Sequence, residues 1–361
     1  MDKRKRIFGL DLIRSYAIFL VLICHSSFFL RQFYPKMNLL GLLCGYLGVE
    51  IFFVLSGFLI GRILINLISR GWNVLDLIKF LISRLIRILP NYYLFLIGYI
   101  LLYSKLFSLN CFDIRYFLFL QNFFSPHPSF FPEAWALSVE GWFYIIFPSL
   151  VFIFSFKKRN YQKTFIIISA ILIILCEVLR FFYVYIKNPP WDEGIRKIVI
   201  FRLDAPIIGS VIAYISYYFP KLSKKYIHYL GFIGFSICIF FYIKYDVNKS
   251  FFMKTFYFFI TDISFAFILP FFFNLDFSFS YITVLITFIS NISYCLYLVN
   301  LSLVYIPLSY YLHIKCLKTA FLGFSLYWIL TFCFAILIYQ FYERPIMEYR
   351  HKIVHSFWQL T

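Results

Sequence analysis

Arg14 and His25 lie eleven residues apart in the apolar run LDLIRSYAIFLVLICH, residues 10–25. Eleven steps of about 100° bring a helix back to within about 20° of its starting face while it rises roughly 16 Å. The two side chains therefore share one stripe at two depths. An ionisable group inside a membrane helix is costly unless it meets a polar interior, so a guanidinium and an imidazole on one stripe point to a cavity or a pathway. The plain alternative is an arginine that snorkels to headgroups and a histidine packed among its neighbours. Glu50 interrupts a second apolar run, GYLGVEIFFVLSGFLIGRIL. A lone buried carboxylate needs a cation, or must donate a hydrogen bond in its neutral form, and by connectivity Arg14 or His25 is the nearest candidate. A histidine oriented by a carboxylate is the usual arrangement for a general base.

Other groups recur at the same kind of position. SRLIRILPNYY sets Arg84 and Arg87 one helical turn apart, with Pro90 just beyond. Two guanidiniums on one face suit a phosphate-bearing ligand, because each presents a rigid fork of donors. The same pair would also serve as an ordinary anchor at a basic membrane face. PEAWALSVEGWFYIIFP carries Ser138, Glu140 and Tyr144, and Glu140 in an apolar helix again needs a partner. FRLDAPIIG sets Arg202 near Asp204 as a candidate internal pair; ISYCLYLVNL supplies Tyr294, Tyr297 and Asn300; YERP ends the last apolar run with Glu343 and Arg344.

Membrane helices must position these groups. Of the 361 residues, 62% are hydrophobic and 24% aromatic, and the mean hydropathy is +0.83, outside the soluble range. The chain reads as an all-α polytopic membrane bundle around a polar cavity. A bilayer core needs about 20 apolar residues per helix, and ten segments meet or nearly meet that length: 8–29, 41–60, 86–104, 134–156, 164–185, 198–219, 229–245, 255–273, 285–306 and 320–342. The ninth is the least well bounded, since residues 276–312 are apolar for longer than one helix needs and include Pro307. No internal repeat or soluble domain is visible, and residues 1–361 read as a single membrane domain. MDKRKR followed by an apolar run has the start of a signal peptide but no small-residue cleavage site, so a retained first helix is expected.

Lys and Arg number 34 against 16 Asp and Glu. In so apolar a chain this excess serves topology and anionic lipid headgroups rather than nucleic acid. With the N-terminus inside, 19 of the 34 fall in inner segments and 12 in outer ones, while Arg14, Arg180 and Arg202 lie within helices. That bias favours both termini in the cytoplasm. The outer connection 105–133 holds SPHPSFFP, whose prolines forbid a continuous helix and leave it able to fold back into the mouth of a cavity. The inner connection 61–87 contains most of LIKFLISRLIRILP, which reads as an amphipathic surface helix running into the third span. Eight cysteines, mostly in apolar runs (Cys24, Cys176, Cys238, Cys333), lack any metal-type spacing; packing residues are expected and no metal site.

Taken in order, these motifs resemble the acyltransferase 3 family of membrane acyltransferases, from about residue 8 to residue 345. The resemblance is carried by Arg14 and His25, GVEIFFVLSGFLI, Arg84 and Arg87 in SRLIRILP, Leu118-Phe119-Leu120-Gln121-Asn122, WALSVEGWFY, RLDAPIIG, ISYCLYL and YERP. It implies a donor such as acetyl-CoA or another acyl-CoA arriving from the cytoplasmic side, with no permanently bound cofactor. It also implies an acceptor hydroxyl on a cell-envelope or exported glycan, often lipid-linked, such as lipopolysaccharide O-antigen or capsule, in a bacterial inner membrane. His25 matches the family's essential histidine, and Arg14, Arg84 and Arg87 match its arginines. Two positions depart from the pattern: Gly141 stands where a second Glu is usual, and Asn300 where many members have His.

Moving an acyl group from a thioester to an alcohol requires removal of a hydroxyl proton and stabilisation of an oxyanion. His25 is the candidate base, oriented by Glu50 or Glu140. Arg14 or a tyrosine hydroxyl is the candidate oxyanion ligand, and Arg84 and Arg87 hold the donor's phosphates. Ser138, Tyr144, Arg202, Asp204, Tyr297, Asn300 and Glu343 are further candidates. The competing reading is a transporter or flippase with Arg14, His25, Glu50 and Arg202 along a path; the inverted repeats and matched broken helices of such proteins are not visible.

Overall fold

A computed structural model describes residues 6–107, 113–156, 160–277 and 280–349, and every regular element among them is helical. Ten helices among the described residues are long and apolar enough to cross a membrane, the number predicted. They are built on α1 (Phe8–Ser27), α2 (Pro35–Ser69), α3 (Val74–Phe107), α4 (Ala134–Phe156), α5 (Tyr161–Lys187), α6 (Asp204–Tyr218, which crosses together with the turn before it as Val199–Tyr218), α7 (Ile227–Lys244), α8 (Phe256–Phe273), α9 (Ser280–Val299) and α10 (Leu317–Ile338). An even number of crossings leaves the start of α1 and the end of α10 on one side. The charges counted at Lys3, Arg4, Lys5, Lys157, Lys158, Arg159, Arg350 and Lys352 lie outside the described residues.

Several boundaries differ from expectation. The predicted surface helix and third span are one helix, α3, because Phe80 and Ile88 both pack into the core and Leu77 and Leu81 pack against it, which makes its apolar stripe continuous. Pro90 sits inside it. The Tyr294 hydroxyl donates to the Ile88 carbonyl at 3.0 Å and that of Tyr342 to the Pro90 carbonyl at 3.0 Å. The sixth span is broken: a short 3-10 turn, Val199–Phe201, precedes α6. The ninth runs on through a π-turn, Asn300–Tyr305, into Ile306–Tyr311, and α10 continues through a second π-turn, Tyr339–Glu343. Each π-turn ends two residues before a proline, Pro307 and Pro345. A proline cannot donate to the carbonyl four residues back and its ring crowds that turn, so a widened turn relieves both.

The helix α2 packs along both α1 and α6. Contact with α6 is at backbone distance: a Cβ added to Gly57 would lie 1.8 Å from the Pro206 carbonyl oxygen, and one added to Gly209 2.0 Å from that of Val54. Small residues that admit this approach are the usual device of membrane helix pairs. The proline-rich connection does fold inward. Gln121 and Asn122 are fully buried; Gln121 Nε2 donates to Ser138 Oγ at 2.6 Å, and Asn122 Nδ2 donates to the carbonyls of Lys197 (2.6 Å) and Trp135 (3.2 Å). Two connections, 113–133 and 188–203, are thus pinned together against α4.

Candidate active site

One cavity, of about 840 Å³ including its mouth, is lined from five helices: Arg14 of α1, Ser56 of α2, Arg84 and Arg87 of α3, Glu140 and Tyr144 of α4, and Ser293, Tyr294 and Tyr297 of α9, with apolar neighbours such as Phe52 and Leu59. Spacing explains the convergence. Glu140 and Tyr144 are four apart and Arg84 and Arg87 three apart, so each pair shares a helix face. Ser56 Oγ donates to Glu140 Oε1 at 2.6 Å and lies 2.8 Å from the Tyr144 hydroxyl, which also donates to Glu140 Oε1. Glu140 is therefore held as an acceptor among three guanidiniums. Arg14 and Arg87 are near enough to repel each other. Three fixed positive charges against one carboxylate, in a largely apolar wall, make Arg14, Arg84 and Arg87 the residues able to hold an anionic group.

His25 is not in the cavity lining. It sits at the far end of α1, where its Nδ1 is hydrogen-bonded to Asn300 Oδ1. Tyr297 lines the cavity and Asn300 lies three residues further along the same helix, so the two polar centres adjoin. Tyr297 donates its hydroxyl to the Glu133 carbonyl at 3.0 Å. The Glu133 carboxylate accepts from the Ser302 amide at 2.7 Å and from its hydroxyl, which clamps the π-turn that begins at Asn300. Burial pushes the Glu133 carboxyl up to about 7 despite those bonds. On the other flank, Arg196 and Lys197 place positive charge near His25. Both are paired with Asp192, at 2.7 and 2.6 Å. Burial opposes ionisation of Asp192, but these two cations outweigh it and hold the carboxyl below its usual range.

Glu50 does not orient His25 or pair with Arg14, contrary to expectation. Its partner is Arg202, which also donates to Asp262 at 3.2 Å; all three are fully buried. Position on α2 gives the reason. Glu50 and Gly57 are seven residues apart, within about 20° of one face, whereas Ser56 is about 120° away. Gly57 abuts Pro206 of α6. Glu50 therefore faces the α6 side, where Arg202 waits four residues before Pro206, and of these two polar residues of α2 it is Ser56 that lines the cavity.

Arg202 and Asp204 do not pair with each other either. Helix α6 starts at Asp204, so the two side chains diverge, and Asp204 binds Arg180 of α5 at 2.8 Å. Ser138 anchors Gln121 rather than lining the cavity. Glu343 is turned into the α9 contact, where Cys295 Sγ donates to it at 2.7 Å.

Asp262 and Arg180 were as legible as Glu50, each being an ionisable residue in an apolar run. Ser56, Glu133 and Tyr327 carried no such signal.

A family model described as an acyltransferase domain, that of the acyltransferase 3 family, matches residues 7–340. Among curated proteins, the O-acetyltransferase OatA of Staphylococcus aureus (strain NCTC 8325 / PS 47) is 29% identical over 253 residues, which cover 63% of this chain and 38% of that protein. YrhL of Bacillus subtilis (strain 168), provisionally named a peptidoglycan O-acetyltransferase, is 27% identical over 270 residues, 66% of this chain and 39% of its own length. A provisionally named O-acetyltransferase of Staphylococcus aureus (strain COL) is 28% identical over 377 residues, 96% of this chain and 58% of its own. The chain thus spans about two fifths of the first two relatives. No solved structure matches.

Proposed function

The chain belongs to the acyltransferase 3 family of integral membrane proteins, and we propose that it is an O-acyltransferase, with acetyl as the group transferred. The donor is an acyl-CoA and the acceptor a hydroxyl of a cell-envelope or exported glycan: peptidoglycan, as named for one relative, or a lipid-linked saccharide of the O-antigen or capsule type. The observation that carries this reading is the cavity of Arg14, Arg84 and Arg87 ending at Tyr297, next to the centre formed by His25 and Asn300. Guanidiniums suit the donor's phosphates. The roughly 16 Å rise from Arg14 to His25 suits the long pantetheine arm that carries the thioester. The basic bias of the inner segments supports a cytoplasmic donor side and cytoplasmic termini, and a bacterial inner membrane is part of the same proposal.

In the reaction, His25 takes the proton of the acceptor hydroxyl as its oxygen bonds to the thioester carbonyl carbon. The C–S bond then breaks and the CoA thiolate leaves, taking up that proton. Transfer between water-side donor and envelope-side acceptor requires both polar centres in one bundle. The Glu50–Arg202–Asp262 network is buried and none of its members lines the cavity, which weighs against these residues forming a transport path.

The test is transfer from radiolabelled acetyl-CoA to envelope glycan in membranes holding the wild type, His25→Ala, or Arg84→Ala/Arg87→Ala at matched, folded levels. Label is expected in the wild type and absent in His25→Ala. The arginine variant is expected to raise the KM for acetyl-CoA by about 10-fold or more, since a hydrogen bond to a charged group contributes about 1.5–3 kcal/mol. Absence of label with acetyl-CoA and with longer acyl donors, beside a working control enzyme, would overturn the reading.

A further inference from the structure

We propose that Asn300 is the positioning residue of this site: it fixes the tautomer of His25, holding the proton on Nδ1 and presenting Nε2 as the base. The inference rests on the acyl-transfer reading above for its kinetic consequences but not for its geometry.

A neutral imidazole carries one N–H and one lone pair, and the hydrogen bond at one nitrogen decides the role of the other. An amide could in principle offer either its oxygen or its nitrogen to His25. Here its orientation is set by other contacts. Asn300 Nδ2 donates to the carbonyls of Leu296 (2.8 Å) and Tyr297 (2.6 Å), which uses both amide protons. Only Oδ1 then remains to face His25, and it also accepts from the Tyr327 hydroxyl at 3.4 Å. An oxygen with lone pairs alone requires that Nδ1 be the donor. Nε2 is left with its lone pair, and among the described residues none is hydrogen-bonded to it.

The surroundings keep this arrangement in place. Asn300 is fully buried and begins the π-turn that Glu133 clamps through Ser302. From α10 comes Tyr327, through Asn300; from the 188–203 connection come Arg196 and Lys197, both paired with Asp192. An amide oxygen fixes the tautomer as a carboxylate does but adds no negative charge. A base in the correct tautomer follows.

Three variants and one spectrum test this. Asn300→Leu, matched in size, is expected to lower kcat by about 100-fold, the low end of what general-base catalysis supplies, with the KM for acetyl-CoA little changed. Asn300→Asp restores an acceptor and is expected to recover much of kcat while moving the acidic limb of the pH profile up by about one unit or more, since a carboxylate favours the imidazolium. Asn300→Ala is expected to behave as Asn300→Leu. In 15N-histidine-labelled protein, with the His25 signal assigned by its loss in His25→Ala, the neutral ring is expected as the Nδ1–H tautomer in the wild type and as a mixture in Asn300→Leu. A wild-type ring protonated on Nε2 would overturn the inference. So would an Asn300→Leu enzyme within about threefold of the wild-type kcat, or equal losses in Leu and Asp variants with the acidic limb unmoved. Should no acyl transfer be found with any donor, the function reading fails, and the spectrum still decides the tautomer.

Discussion

Glu50→Gln separates a structural carboxylate from a catalytic one. In the structure Glu50 is fully buried and bonded to Arg202, with Arg196 Nε 4.0 Å from its other oxygen. Removing one member of a buried pair leaves the other charge uncompensated, at a cost of about 3–5 kcal/mol. Asp262 remains on Arg202 at 3.2 Å and softens the loss, so the lower end, about 3 kcal/mol, is expected. The loss should appear as a lower thermal midpoint of the detergent-solubilised protein. Variant that remains folded should keep the wild-type pH profile of acyl transfer. A triple variant, Glu50→Leu/Arg202→Met/Asp262→Leu, removes the desolvation cost with the attraction and is expected to regain most of the midpoint, as apolar replacement of buried ion clusters often does. The reasoning is refuted if Glu50→Gln melts like the wild type yet loses transfer with a displaced pH limb, because that would place the carboxylate on the base.

Glu133 makes the fold pH-dependent. Its carboxyl is raised in the folded state from 4.5 to about 7, so the native state holds a proton that the unfolded chain releases. The associated stability is fully present below about 4.5 and is lost as pH rises through about 7, by about 3 kcal/mol at 1.36 kcal/mol per unit. Glu133→Gln should flatten the thermal midpoint between pH 5 and pH 8; an unchanged slope would assign it to another group. Gly57→Ala places a methyl 1.8 Å from the Pro206 carbonyl oxygen, so α2 and α6 must separate, and monodisperse yield after extraction should collapse. Gly98→Ala meets nothing within 4 Å and should be neutral or stabilising by up to about 1 kcal/mol; equal behaviour of the two variants would contradict the close α2–α6 contact.

The helices were legible because apolar length is a one-dimensional property, and the ten spans followed from it, as the break in the 105–133 connection followed from its prolines. Pairing between buried charges is three-dimensional. It depends on which face of each helix meets which neighbour, and chain order misled: Arg14 and His25 are on the helix next to Glu50 in sequence, yet α2 packs along both α1 and α6, and Glu50 faces the α6 side. A clue was present in the sequence. Gly57 lies on the face of Glu50, and a small residue marks the closest helix contact. Polar groups on such a face belong to that contact before they belong to a cavity.

Asn300 is the converse case, a candidate at a position where the sequence departs from the pattern of the family it resembles. Judged by the atom it presents, it supplies His25 with an acceptor whose orientation two backbone carbonyls dictate. Histidine in that place would need its own tautomer fixed before it could fix another; an amide held by the helix's own carbonyls needs nothing further. A departure from a family pattern at a buried polar position is therefore best weighed by the donor or acceptor it leaves facing the reacting group, and Asn300→Asp, which keeps an acceptor while adding charge and giving up the amide's two donated hydrogen bonds, tests how far the acceptor alone suffices.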